Sequence, residues 1–114
     1  MTEGPGSQVD EAQRSVKIRN RAGLHARPAA ELVKLASRFQ SRIMLEKGGL
    51  EVNGKSIMGV MMLAAEYGST LRVRAIGPDC EAAVQAICQL VEDEFGESIE
   101  DYQISDPEAG QEYV

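Results

Sequence analysis

The chain has one histidine, two cysteines, no tryptophan and only five aromatic side chains among its 114 residues. One histidine and two cysteines do not make a metal site with the usual three or four ligands, so no metal or other cofactor is expected. Cys80 and Cys88 fall in one predicted helix, about 12 Å of rise apart and too far for a disulfide. They read as reduced core residues, which fits the cytoplasm. No stretch of 18 apolar residues is present, which excludes a membrane-spanning helix. The first residues lack the basic start and apolar run of a secretory signal. No G-x-x-x-x-G-K-S/T loop and no Asp/Glu–His–Ser set occurs, so neither a nucleotide site nor a hydrolytic triad is indicated. The few aromatics and a net charge of −6 make nucleic acid a poor partner.

The negative charge is not evenly spread. Residues 97–114 hold six acids and no Lys or Arg, and the remainder balances at 12 basic against 12 acidic. Residues 14–47 carry nine basic side chains against Glu31 and Glu46 alone. That local surplus surrounds the single histidine, and an acidic protein partner suits it best.

Three regions follow from composition and patterning. Residues 1–14 are polar and read as a loose leader. Residues 15–96 form one folded domain with an adequate core. Residues 97–114 are an acidic tail with Pro107 and Gly110, expected to be poorly ordered, though Ile99, Tyr102 and Ile104 could dock somewhere. Within the domain, apolar and polar residues alternate over 16–19, 41–46, 50–53 and 70–76, as expected of strands with one wet face. Lys47-Gly48-Gly49 reads as a hairpin turn. Ala29, Leu32, Val33, Ala36 and Phe39 recur at helical spacing and place a helix over 26–39. Ser56 caps a short helix over 57–63, and Asp79 caps a last helix that stops at Gly96. The order strand, helix, strand, strand, helix, strand, helix predicts a two-layer α+β domain, a sheet with helices on one face.

Chemistry concentrates at Gly23-Leu24-His25-Ala26-Arg27-Pro28-Ala29-Ala30. A glycine turn carries the histidine to a helix start, where proline is well tolerated. The backbone N–H groups of Ala26 and Arg27 lie in the first turn, at the positive end of the helix. Arg27 adds a charged fork suited to phosphate. A nucleophilic imidazole must be neutral, and a helix start disfavours its cation. Such a ring, held at an anion-binding end, can accept a phosphoryl group.

That segment and Asn53-Gly54-Lys55-Ser56-Ile57-Met58-Gly59-Val60-Met61 together resemble the two signatures of the HPr family. These are the histidine-containing phosphocarriers of the bacterial phosphoenolpyruvate-dependent sugar phosphotransferase system. The resemblance runs from about Val16 to Gly96. It implies an open-faced β-sandwich with a four-stranded antiparallel sheet and three helices. It implies that His25 takes a phosphoryl group on Nδ1 from Enzyme I and passes it to EIIA domains of sugar transporters. Ser56 then corresponds to a serine modified by HPr kinase/phosphorylase in some lineages. Ile57, Met58 and Met61, which the periodicity alone would bury, become an exposed docking patch. Ala22 departs from relatives with a polar residue there, and the acidic tail exceeds the family's usual length.

The expected function is therefore a monomeric cytoplasmic phosphocarrier, a substrate protein rather than an enzyme. The competing class is a regulatory interaction module of a nitrogen-related or incomplete phosphotransferase system.

Overall fold

The computed structural model describes residues 10–96. Four strands form one antiparallel sheet: β1 (Glu11–Lys17), β2 (Arg42–Lys47), β3 (Leu50–Asn53) and β4 (Thr70–Ile76). Their spatial order is β1-β4-β2-β3. The helices are α1 (Ala26–Ala36), α2 (Ile57–Met62) and α3 (Cys80–Glu92), followed by a 3-10 turn, Glu94–Gly96. The alternation seen in the sequence sets which face is dry. Ile43, Leu45, Leu71 and Val73 are buried, while Arg72 between them is exposed. Leu32 of α1 and Ile87 and Val91 of α3 close the core against that face. On the wet face, Arg72 pairs with Glu46, and Arg74 with Glu11 and Glu51.

The β2–β3 hairpin turns on Gly48 and Gly49, at φ 57° and 89°. Two consecutive positive φ values make the tight turn whose twist matches its flanking strands.

Three elements differ in their bounds from the sequence reading. Residues 11–14, assigned to the leader, lie in β1, which ends at Lys17 rather than running to residue 19. Their sequence alternates poorly, but β4 offers partners up to Ile76, and Glu11 pairs with Ile76. Ladder hydrogen bonds thus extend the strand where side-chain pattern does not. On the core side, Arg14 reaches Cys88 of α3; burial pushes the Cys88 thiol upward, and this guanidinium works against it. The first helix ends at Ala36, not 39, because the chain tightens into i→i+3 bonds at Arg38 and Phe39. The last helix ends at Glu92, with Glu94 and Phe95 in left-handed geometry and Phe95 buried against α1 and α3. The remaining leader residues and the tail lie outside the described residues.

Asp79 corrects a fourth expectation. It occupies the N-cap position of α3, yet its side chain makes no bond to that helix. Its carboxylate accepts from the Gln40 and Ser41 amides at 2.9 Å and from Ser41 Oγ at 2.6 Å. It thereby ties the turn after α1 to the start of α3. The Ser41 hydroxyl, then the Gln40 amide, holds the Asp79 carboxyl below its ordinary value. A carboxylate lowered on folding contributes stability above its unfolded-state pKa of about 4, and this is lost as pH falls through the folded value. Asp79→Ala is accordingly expected to lower the melting temperature at neutral pH. The gap to the parent should narrow as pH falls below that unfolded-state value, and a gap independent of pH would contradict the assignment.

Candidate functional site

The loop carrying His25 is held by backbone rather than by side-chain bulk. Gly23 N donates to Asn20 O at 3.1 Å, and Asn20 Nδ2 donates back to Gly23 O at 2.8 Å. Leu24 is buried, and its N–H donates to Ala65 O at 2.8 Å. Gly23 sits at φ 70°, and a Cβ there would lie 2.5 Å from Ala65 O. Glycine is therefore required on two counts, backbone geometry and space. Gly23→Ala is expected to cost at least about 2 kcal/mol of folding stability, measured by urea unfolding. A loss below about 0.5 kcal/mol, the level of an ordinary surface change, would contradict this packing.

His25 is the N-cap of α1, with extended backbone (φ −79°, ψ −171°) and no capping hydrogen bond from its side chain. Its N–H donates to Gly23 O, and its carbonyl accepts from Ala29 N, both at 2.9 Å. The residue is exposed, as are Ala26 and Arg27, while the Pro28 ring is buried and anchors the first turn. No acidic residue lies in that turn, so no carboxylate there offsets the positive helix end. Within an α-helix the amides of Ala26 and Arg27 have no intrahelical acceptor, because none precedes them by four residues.

The second motif lies on α2. Gly54 N donates to Ile43 O at 2.7 Å, and Ser56 N to Asn53 O at 3.2 Å. Ser56 caps α2 as expected, its Oγ accepting from Gly59 N at 3.0 Å. Val60 turns inward and is fully buried. Met58 is 76% exposed, Met62 64%, Ile57 47% and Met61 43%, so the periodicity's burial of this run is wrong. The helix is short and fully buries Val60 alone, with Leu63 buried just after it, while Ile57, Met58, Met61 and Met62 stay exposed. Met62 was not singled out in the sequence; its place in an unbroken apolar run was the available signal.

The structure brings the two motifs together. α1 packs against α2, and the segment leaving α2 supplies the Ala65 carbonyl that holds Leu24, next to His25. Lys47 Nζ fixes that exit by donating to Leu63 O and Ala64 O at 3.2 Å. Ala64 takes a left-handed φ of 50° there, an uncommon conformation for a residue with a Cβ. Neither Lys47 nor Ala65 was recognised in the sequence, since their roles depend on contacts distant along the chain. Among the described residues, no group of three or more His, Cys, Asp or Glu is placed to hold a metal. Both cysteines are buried thiols.

The PTS-HPr family model, described as "PTS HPr component phosphorylation site", matches residues 12–93. The chain belongs to the HPr family. It is a phosphocarrier of the phosphotransferase system. The HPr match begins inside β1, in accord with residues 12–14 belonging to the fold rather than to a leader. Phosphocarrier protein HPr of Treponema pallidum is 52% identical over 84 residues, covering 74% of this chain and 96% of the relative. HPr of Cupriavidus necator is 47% identical over 85 residues, 75% of this chain and 96% of the relative. A crystal structure of an HPr from Thermoanaerobacter tengcongensis superposes with a TM-score of 0.75 at 44% identity, covering 77% of this chain and 99% of that one. The HPr fold, an open-faced sandwich with four antiparallel strands and three helices, is thus the architecture of this chain. Among the described residues no helix is long and apolar enough to cross a membrane.

Proposed function

We propose that His25 is the phosphoryl carrier, accepting the group on Nδ1 from phosphorylated Enzyme I and donating it to the EIIA domain of a sugar transporter. The observation that carries this reading is the placement of His25: an exposed residue at the N-cap of an 11-residue helix, beside the first-turn amides and with no acidic residue in that turn. In the forward step the Nδ1 lone pair forms the new N–P bond while the donor's bond to phosphorus breaks. The donor leaves with that electron pair, and the imidazole gains the phosphoryl group. The Ala26 and Arg27 amides and the Arg27 guanidinium stabilise the added negative charge.

Magnitudes suit a carrier. Charge at a helix start gains roughly 0.3–2 kcal/mol. An arginine hydrogen bond to an anion adds about 1.5–3 kcal/mol, less in water. These are enough to hold the group and too little to trap it, and an exposed ring lets a second protein approach in line. The chain acts as a monomeric cytoplasmic protein substrate, needs no metal or cofactor, and does not turn over small molecules itself.

Ile57, Met58 and Met61, with Met62, form the docking patch for both partners. Unbranched methionines adapt to differing surfaces, as a shared acceptor and donor requires. Ser56 is the regulatory phosphorylation site, addressed by HPr kinase/phosphorylase. The decisive test is transfer onward: the chain loaded from phosphoenolpyruvate and Enzyme I should pass label to a purified EIIA domain. Label that stays on the chain in the presence of several EIIA domains would count against the carrier role.

A further inference from the structure

At the end of β1 the surface opens into a cleft of about 470 Å³ lined by Lys17, Ile18, Arg19, Tyr67, Gly68 and Glu94. Two backbone bonds hold its floor, Ile18 N to Ser69 O at 2.9 Å and Gly68 N to Ile18 O at 2.8 Å. Lys17 and Arg19 are exposed, and Tyr67 is 66% exposed. Among the described residues, the ion pairs run through Arg72 and Arg74 on the sheet face, and none engages Lys17 or Arg19. The cleft therefore presents two cations beside an aromatic ring. Glu94, on its rim, lies three residues before Glu97, where the acidic segment begins.

That segment has complementary chemistry. Residues 97–114 carry six acids and no Lys or Arg, and Ile99 and Tyr102 stand among the first of them, Glu97, Glu100 and Asp101. We propose that the acidic segment docks in this cleft, its first acids facing Lys17 and Arg19 and its apolar side chains covering Tyr67. Reach is not limiting. Five residues span up to about 17 Å at 3.3–3.6 Å each, and Glu94 already borders the cleft. The docking has a consequence for the neighbouring site. Residues 65–69 contribute to the floor of the cleft and also hold Leu24 beside His25. The docked acids offset the basic surface around His25 and weaken its attraction for an acidic partner.

The test uses the full 114-residue chain and a full-length variant carrying Glu97→Gln, Glu100→Gln and Asp101→Asn. Amide ¹H–¹⁵N spectra of the two should differ at Lys17, Ile18, Arg19, Tyr67 and Gly68. Raising salt from about 0.05 M to about 0.5 M shortens the screening length several-fold. It should move the parent's signals at those residues onto the variant's positions. Lys17→Ala with Arg19→Ala should abolish that salt response. Inorganic phosphate should perturb the cleft more in the neutralised variant than in the parent. Spectral differences confined to residues 94–96 would overturn the proposal. Equal phosphate binding by both chains would also overturn it, assigning the cleft to small anions. None of these readouts involves phosphoryl transfer, so they separate this contact from the carrier role of His25.

Discussion

His25→Ala is expected to leave a folded chain that accepts no phosphoryl group. His25 is exposed, and its side chain does not cap α1. The loop is set by Gly23, Leu24 and Asn20 through hydrogen bonds, backbone and one from the Asn20 side chain, that alanine at position 25 leaves in place. Unfolding free energy should therefore change by less than about 0.5 kcal/mol, as for surface substitutions generally. The chemistry should vanish. Residual transfer in enzymes that lose a nucleophile comes from binding and from water, and neither leaves a covalent phosphoryl group on a carrier. The parent should take up about one group per chain, through its single nucleophilic imidazole, and the variant none. Labelling with radioactive phosphoenolpyruvate and Enzyme I, alongside circular dichroism, reads both quantities. Labelling at parental level in a folded variant would remove His25 from the mechanism.

Ser56→Asp should slow transfer from Enzyme I about tenfold, equivalent to about 1.4 kcal/mol of barrier. Two features separate this effect from misfolding. Aspartate is as good an N-cap as serine, so it can replace the Ser56 Oγ that accepts from Gly59 N. Ser56 also directly precedes Ile57 and Met58, 47% and 76% exposed. A charge at that edge must be desolvated or repelled when an acidic partner covers the patch. A phosphate, at roughly −1.5 to −2 charge, should act more strongly than aspartate. Stability is expected to hold while the rate falls in stopped-flow or quench-flow transfer. An unchanged rate would place the docking surface elsewhere. A rate loss matched by unfolding would make Ser56 a structural cap alone.

Local chemistry made part of this molecule legible in its sequence. A glycine turn running into Pro28 marks the start of α1 to the residue, because turn and first-turn preferences are properties of neighbouring residues. Strict alternation over β4 gives its bounds, and paired glycines give the β2–β3 turn. Long-range contacts set what was missed. Residues 11–14 join β1 only because β4 has an open edge to pair with. Asp79 leaves its own helix for amides 38 and 39 residues earlier, and no local capping rule contains that choice. The exposure of Ile57, Met58 and Met61 could not come from periodicity, since an apolar run looks alike whether a short helix is buried all round or on one side. The family resemblance supplied it. For Ala65 and Lys47, which brace the histidine loop, neither source gave a signal.

The placement of the phosphoryl group tests the account most directly. The full chain is incubated with phosphoenolpyruvate and Enzyme I, and the product is examined by ³¹P NMR and peptide mapping, with an acid-lability step. The account predicts one acid-labile phosphoryl group on Nδ1 of His25. An acid-stable group, or a labile one on any other residue, would contradict it.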